Sequence, residues 1–189
     1  MLCVKLKDNK RTCTGVSGGI SNAVLFDPAD FNFTQTTPDD GYSAIALREG
    51  ATAAGGAKMF DFQFQINEAE RKVKVSRKGP SVKYEHELSL QVPQLSQDRT
   101  TFFQMLDAGS TCCGVGMILR HNDGKIFVIG ERFVNDEEIT KFLLQHDGSD
   151  GGSGKQFDDF NGMNVVLKAN YTRELVEFTG AWSAITALM

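Results

Sequence analysis

Val82-Lys83-Tyr84-Glu85-His86-Glu87-Leu88-Ser89-Leu90-Gln91-Val92 decides the fold. Val82, Tyr84, His86, Leu88, Leu90 and Val92 fall on one side of an extended chain. Lys83, Glu85, Glu87, Ser89 and Gln91 fall on the other. A helix needs apolar residues three and four apart, whereas a period of two sorts side chains only onto the two faces of a strand. With one face apolar and one polar, the strand buries a single side, as strands of antiparallel sheets do.

The same alternation recurs on both sides of this stretch. Over residues 60–66, Phe60, Phe62, Phe64 and Ile66 oppose Asp61, Gln63 and Gln65. Over residues 163–171, Met163, Val165, Leu167, Ala169 and Tyr171 alternate with Asn164, Lys168 and Asn170. Asn67-Glu68-Ala69-Glu70 and Gly79-Pro80 read as turns flanking a strand through Val73 and Val75. Asn122-Asp123-Gly124 reads as a hairpin turn joining 115–119 to 126–129, because glycine supplies the positive φ such turns need. Shorter strands are expected at 23–26, 43–47, 139–145 and 175–178, and the short connections predict a meander. One helix is expected over 97–107, capped by Ser96, striped by Phe102, Phe103 and Leu106, and stopped by Gly109. The expected fold is mainly β: an antiparallel β-sandwich or barrel with one short flanking α-helix. The 189 residues are read as one β-rich domain, with flexible loops at 50–58 and 147–155 inside it.

Composition narrows the function classes. Hydrophobic residues make up 41% and charged residues 23%, near globular averages, so neither disulfides nor a metal are needed to staple the fold. No apolar run approaches the roughly 20 residues of a membrane-spanning helix. Met1-Leu2-Cys3-Val4-Lys5-Leu6-Lys7-Asp8 has no apolar segment of the kind a signal peptide carries. With 20 basic and 24 acidic residues the chain is weakly acidic. Its densest basic stretch, Arg71 to Lys78, alternates with apolar residues and reads as a solvated strand rather than a nucleic-acid site.

Residue types that carry chemistry are present without the spacing chemistry needs. Cys3, Cys13, Cys112 and Cys113 match no zinc pattern, and read as small hydrophobes or idle thiols. Asp147-Gly148-Ser149-Asp150-Gly151-Gly152-Ser153-Gly154 lacks the Lys-Ser or Lys-Thr of a phosphate loop and the closing glutamate of an EF-hand. It reads as a flexible loop, with weak calcium binding alongside Asp158 and Asp159 as the alternative. Asp136-Glu137-Glu138 reads as a solvated turn, and His86 as a hydrogen-bonded core histidine. No catalytic residue, cofactor site or metal site is expected, and the chain is read as not an enzyme.

The order of elements carries a resemblance. A lead containing Cys13-Thr14-Gly15-Val16-Ser17-Gly18-Gly19-Ile20 enters a first strand. A long alternating hairpin follows, then one short helix and the hairpin Asp123-Gly124-Lys125-Ile126-Phe127-Val128-Ile129-Gly130. A flexible loop comes next, and last Phe157-Asp158-Asp159-Phe160-Asn161-Gly162-Met163-Asn164-Val165-Val166-Leu167-Lys168-Ala169. Over roughly residues 13–179 this resembles the tail tube and related tail structural proteins of tailed phages, particularly those of gut bacteria. The Cys112-Cys113 pair lies outside any motif of that resemblance. The resemblance implies a virion protein assembled in the host cytoplasm. Its subunits form rings, commonly hexameric, that stack into a conduit for DNA. The partners implied are further copies of itself, other tail proteins and the passing DNA. Asp61, Gln63, Gln65, Lys83, Glu85 and Glu87 are then expected to line the lumen or flank it. Gly50, Ala53, Gly55 and Gly56 are expected in a loop between rings. The alternatives are another virion part, such as a head–tail connector or baseplate component, and a sandwich binding small molecules or glycans. The latter predicts a pocket presenting Tyr42, Tyr84, Tyr171 or Trp182.

Overall fold

The computed structural model describes residues 18–37, 40–52, 56–65, 68–94, 96–112, 114–139, 143–152 and 161–189. The stretch at 82–92 lies within β6 (Ser81–Pro93), flanked by β5 (Ala69–Lys78) and β12 (Gly162–Tyr171), with β11 (Gln145–Gly152) beyond. These four form an antiparallel sheet in the order β11-β12-β6-β5, called here the alternating sheet. Pairing of β6 with β12 runs unshifted from Pro93↔Gly162 to Tyr84↔Tyr171. Because a slip of one residue would turn every side chain over, this register puts Leu88, Leu90, Val165 and Leu167 on one fully buried face.

That face packs on a middle sheet of order β13-β8-β7-β1-β4. Its strands are β1 (Ile20–Phe26), β4 (Phe60–Asp61), β7 (Gly116–His121), β8 (Ile126–Ile129) and β13 (Val176–Glu177). Ala23, Leu25, Met117 and Leu119 face the alternating sheet. Val24, Phe26, Ile118 and Val128 face the opposite way, into a second core. The third layer, the cap sheet, closes that core. It comprises β2 (Phe31–Gln35), β3 (Tyr42–Leu47), β9 (Phe133–Val134) and β10 (Glu137–Glu138), in the order β10-β9-β2-β3. The architecture is thus an antiparallel β-sandwich of three layers with a flanking helix. Burial of the middle sheet on both faces is why Ala23-Val24-Leu25-Phe26 and Met117-Ile118-Leu119 are continuously apolar rather than alternating.

Several expectations are corrected. The chain is not a meander: β1 pairs with β7, and β6 with β12, across long separations, and β2 runs parallel to β9. The strand expected over 60–66 is only two residues long. Phe62 is buried, but Phe60 is exposed, and Ile66 lies outside the described residues. Ala69 and Glu70, expected in a turn, begin β5. The strand expected over 139–145 is not formed as such: Leu144 makes a single bridge to Val115, β11 starts at Gln145, and 140–142 lie outside the described residues. The glycine-rich segment from Asp147 is a strand through Gly152, because β12 offers it a ladder; 153–155 lie outside the described residues. A bulge between His146 and Gly148 absorbs its irregular sequence, with Gly148 at φ 146°. Glu137 and Glu138 form a strand rather than a turn.

Helix α1 (Gln97–Cys112) begins where expected, the Arg99 amide donating to Ser96 Oγ at 3.3 Å. It runs through Gly109 instead of stopping there, since an internal glycine costs only about 1 kcal/mol against alanine. Phe103 and Leu106 are buried, while Phe102, expected in the same stripe, is 36% exposed. A second helix, α2 (Trp182–Thr186), seats Ile185 and Trp182 against the second core.

Candidate functional site

The polar face of the alternating sheet holds Lys83, Glu85 and Glu87. Lys83 Nζ lies 3.3 Å from Glu85, and Lys168 bridges Glu87 at 3.3 Å and Asp147 at 2.7 Å. On β5, Lys72 meets Glu70 at 3.0 Å and stands opposite Glu87, while Lys74 stands opposite Glu85. Hydrogen bonds to Glu70 and to Asp147 raise the ammonium groups of Lys72 and Lys168, respectively, above the ordinary lysine range. Signs therefore alternate across the strands, as cross-strand pairing favours.

Asp61, Gln63 and Gln65 are held apart from this face. Asp61 and Gln63 line a cleft of about 170 Å³ between β4 and α1, with Arg99, Phe102 and Phe103 among its walls. The Gln65 amide donates to the Gln91 carbonyl at 2.7 Å, fastening this segment to the end of β6. Of the expected inter-ring loop, Gly50 (φ 89°) and Gly56 (φ 91°) sit in turns, and Ala53 and Gly55 lie outside the described residues.

The most developed polar cluster was not anticipated from sequence. Gly130 ends β8 at φ 86°, where a Cβ would stand 2.5 Å from the Val115 carbonyl oxygen; only glycine fits. The turn delivers Glu131, 1% exposed, to the seam of the three sheets. Tyr42 from the cap sheet donates its hydroxyl to Oε1 at 3.0 Å, and Tyr171 from the alternating sheet donates to Oε2 at 3.0 Å. Arg173 Nη2 approaches Oε1 at 3.4 Å and donates to the Tyr42 hydroxyl at 3.1 Å; the Gly130 amide donates to the Tyr171 hydroxyl. Burial pushes the Glu131 carboxyl above the ordinary carboxylate range, against the pull of these donors, and pushes both phenols up. The outward signal was slight: a glutamate directly after an apolar strand and a glycine, in Ile129-Gly130-Glu131.

His86 lies on the apolar face, 0% exposed, as expected, but neither ring nitrogen makes a hydrogen bond of good geometry. It stands edge-on to Tyr171 (ring centroids 5.4 Å apart), with Glu174 3.8 Å from Nδ1. Burial holds its imidazole below the ordinary value of 6.5. Tyr42 and Tyr171 are spent on Glu131 and present no aromatic surface. A cleft of about 330 Å³ beside the Asn135-Asp136 turn is lined by Gln35, Thr36, Asn135, Glu137 and Arg173, with none of the four expected aromatics. Among the described residues no group of three or more His, Cys, Asp and Glu is placed to hold a metal, and no helix is long and apolar enough to cross a membrane. No protein-family model matches the chain, and no curated protein or solved structure does.

Proposed function

We propose that this chain is a structural subunit of a phage virion tail, forming rings that stack into a conduit for DNA. The observation that supports this reading is the polar face of the alternating sheet. It is broad and solvated, and its Lys and Glu side chains are paired with one another, leaving little net field beyond a Debye length of about 8 Å at physiological salt. Tight binding to nucleic acid comes from lysines and arginines that neutralise phosphates. Lysines already matched to carboxylates let a phosphodiester backbone pass without holding it. In this reading Lys83, Glu85 and Glu87 face the lumen, the apolar face of the sheet stays on the subunit's own core, and Asp61, Gln63 and Gln65 lie at its flank. In the conduit the chain works as a part and not as a catalyst.

Negative-stain electron microscopy of the purified protein tests this. Rings or tubes with an open lumen are the expected result. Particles of monomer size at every concentration, with no ring in the presence of other tail proteins, reject it.

A further inference from the structure

The bulge in β11 lines up three side chains. In a regular strand His146 and Ser149, three apart, would point to opposite faces. The register shift between His146 and Gly148 adds one residue. His146 therefore stands opposite Leu167 and Ser149 opposite Val165, and both share the face on which those two are buried. Asp147 takes the other face, where it meets Lys168. Helix α1 packs against β11 and brings Asp107 to His146.

His146 Nδ1 lies 3.0 Å from Asp107 Oδ1, and Nε2 lies 2.6 Å from Ser149 Oγ. A carboxylate only accepts, so in the neutral imidazole Nδ1 carries the proton and Nε2 accepts from the Ser149 hydroxyl. A serine becomes a nucleophile in this arrangement: a base within reach of its hydroxyl, and a carboxylate fixing the tautomer of the base. Space and donors are present on the same strand. Gly148 has no side chain, and even a Cβ there would meet nothing within 4 Å, so the approach to Ser149 is open. β11 has no strand on its outer side among the described residues, so every second amide along it lacks a ladder partner. Such amides are the donors a developing oxyanion needs.

We propose that Ser149, His146 and Asp107 form a nucleophilic centre that hydrolyses carboxylic esters of short acyl groups. Ser149 Oγ bonds to the acyl carbon as its proton passes to His146 Nε2. The ester C–O bond then breaks, and that proton leaves with the alcohol. Water attacks the acylated serine in the same way: it gives a proton to Nε2, its oxygen bonds to the acyl carbon, and the proton returns to Ser149 as the carboxylic acid leaves. Ser149 and His146 are the catalytic residues, and Asp107 is a positioning residue. Ser149 lines neither of the clefts described above, which fits a short acyl group presented from solvent and not a long chain that needs a pocket. The Asp107 side chain is 64% exposed, so water screens its hold on the imidazole and the rate is modest. The conduit reading asks no chemistry of the chain; this activity goes beyond it and does not depend on it.

Two measurements on the whole purified chain test the proposal: hydrolysis of 4-nitrophenyl acetate, and labelling by a fluorophosphonate probe located by peptide mass spectrometry. The native chain is compared with Ser149→Ala, His146→Gln and Asp107→Asn, each checked for folding by circular dichroism. The probe labels Ser149 of the native chain, and Ser149→Ala and His146→Gln each lower hydrolysis by about a hundredfold or more. Asp107→Asn lowers kcat by about tenfold or more with KM unchanged, a split that a merely structural contact would not produce. If His146→Gln or Asp107→Asn fails to fold, Ser149→Ala, which removes one oxygen, still decides. A native chain that the probe does not label at Ser149, or hydrolysis equal in native and Ser149→Ala protein, overturns the proposal and leaves the three side chains as a clasp between α1 and β11.

Discussion

Tyr42 of the cap sheet donates its hydroxyl to a carboxyl oxygen of Glu131 at 3.0 Å, and through that bond the two cores are tied by an acidic group with almost no access to water. A buried carboxylate is costly unless its oxygens are satisfied. Here Tyr42, Tyr171 and Arg173 satisfy them, one arriving from each outer sheet and one from the segment after β12. Apolar packing would hold the layers together in many relative positions; hydrogen bonds of fixed geometry admit one.

Glu131→Ala should therefore cost about 3–5 kcal/mol, because it strands two buried hydroxyls and removes the anion facing Arg173. Glu131→Gln keeps the shape and an acceptor, and should cost clearly less. Urea unfolding of the two variants checks the order. Equal, small losses from both would mean that the cluster is not holding the sheets.

Glu131 also sets a pH dependence with a definite sign. Its native carboxyl titrates above its ordinary value of 4.5 because burial disfavours the charge. The unfolded chain thus releases its proton first, and stability from this group falls as pH rises from about 4.5 through the raised native value. Glu131→Gln should remove that decline. Unfolding midpoints of native and variant protein should converge toward acid pH and separate in the variant's favour above it, measured against the variant's own low-pH value.

His86 contributes the opposite slope. Its imidazole is held below 6.5 in the folded protein, so the unfolded chain takes up a proton first as pH falls below that value, and stability is lost until the lowered native value is passed. His86→Leu removes both this loss and two ring nitrogens that lack good partners. Replacing an unsatisfied buried polar group by an apolar one is worth about 1–3 kcal/mol. The variant should match or exceed native stability at pH 7 and gain further at pH 5; a loss at both would show that the edge-on contact with Tyr171 is worth more than the unmet nitrogens.

How far the fold could be read depended on where each strand sits. β6 and β12 cover the outside of a core, so each has one wet face, and Leu88 and Val165 announce themselves by alternation. Phe31 and Phe33 of β2 alternate too, but over only five residues ahead of a turn-rich segment, too short a run to stand out. Asp147 to Gly152 has the composition of a loop, and becomes a strand only because β12 supplies a partner ladder from far along the chain. The local sequence cannot carry that information. The lumen candidates on β6 were placed on one polar face by period alone; the Asp61, Gln63 and Gln65 segment is not on that face because β4 pairs with β1 in the middle sheet, a partner far away in the sequence. Glu131 was illegible for the same reason. Its partners come from 40 or more residues away, and a lone glutamate after a strand ordinarily points to water.

The layering predicts a contrast between neighbouring positions. Val24 and Leu25 are adjacent in β1 and both buried, one in each core, at 0% and 6% exposure. An aspartate at either position puts an unpaired charge into an apolar interior. Val24→Asp and Leu25→Asp should both lose several kcal/mol, enough to exhaust the stability of an ordinary domain. In β6, Leu90 and Gln91 are likewise adjacent, but only Leu90 is fully buried. Leu90→Asp should be as damaging as the β1 variants, whereas Gln91→Asp should change stability by about 0.5 kcal/mol, since its backbone bonds to Gln65 and Glu68 do not depend on its side chain. Soluble yield and urea midpoints for the four variants separate a strand with two buried faces from a strand with one. Tolerance of aspartate at either Val24 or Leu25 would mean that the middle sheet meets solvent on that side, and the three-layer arrangement would fail with it.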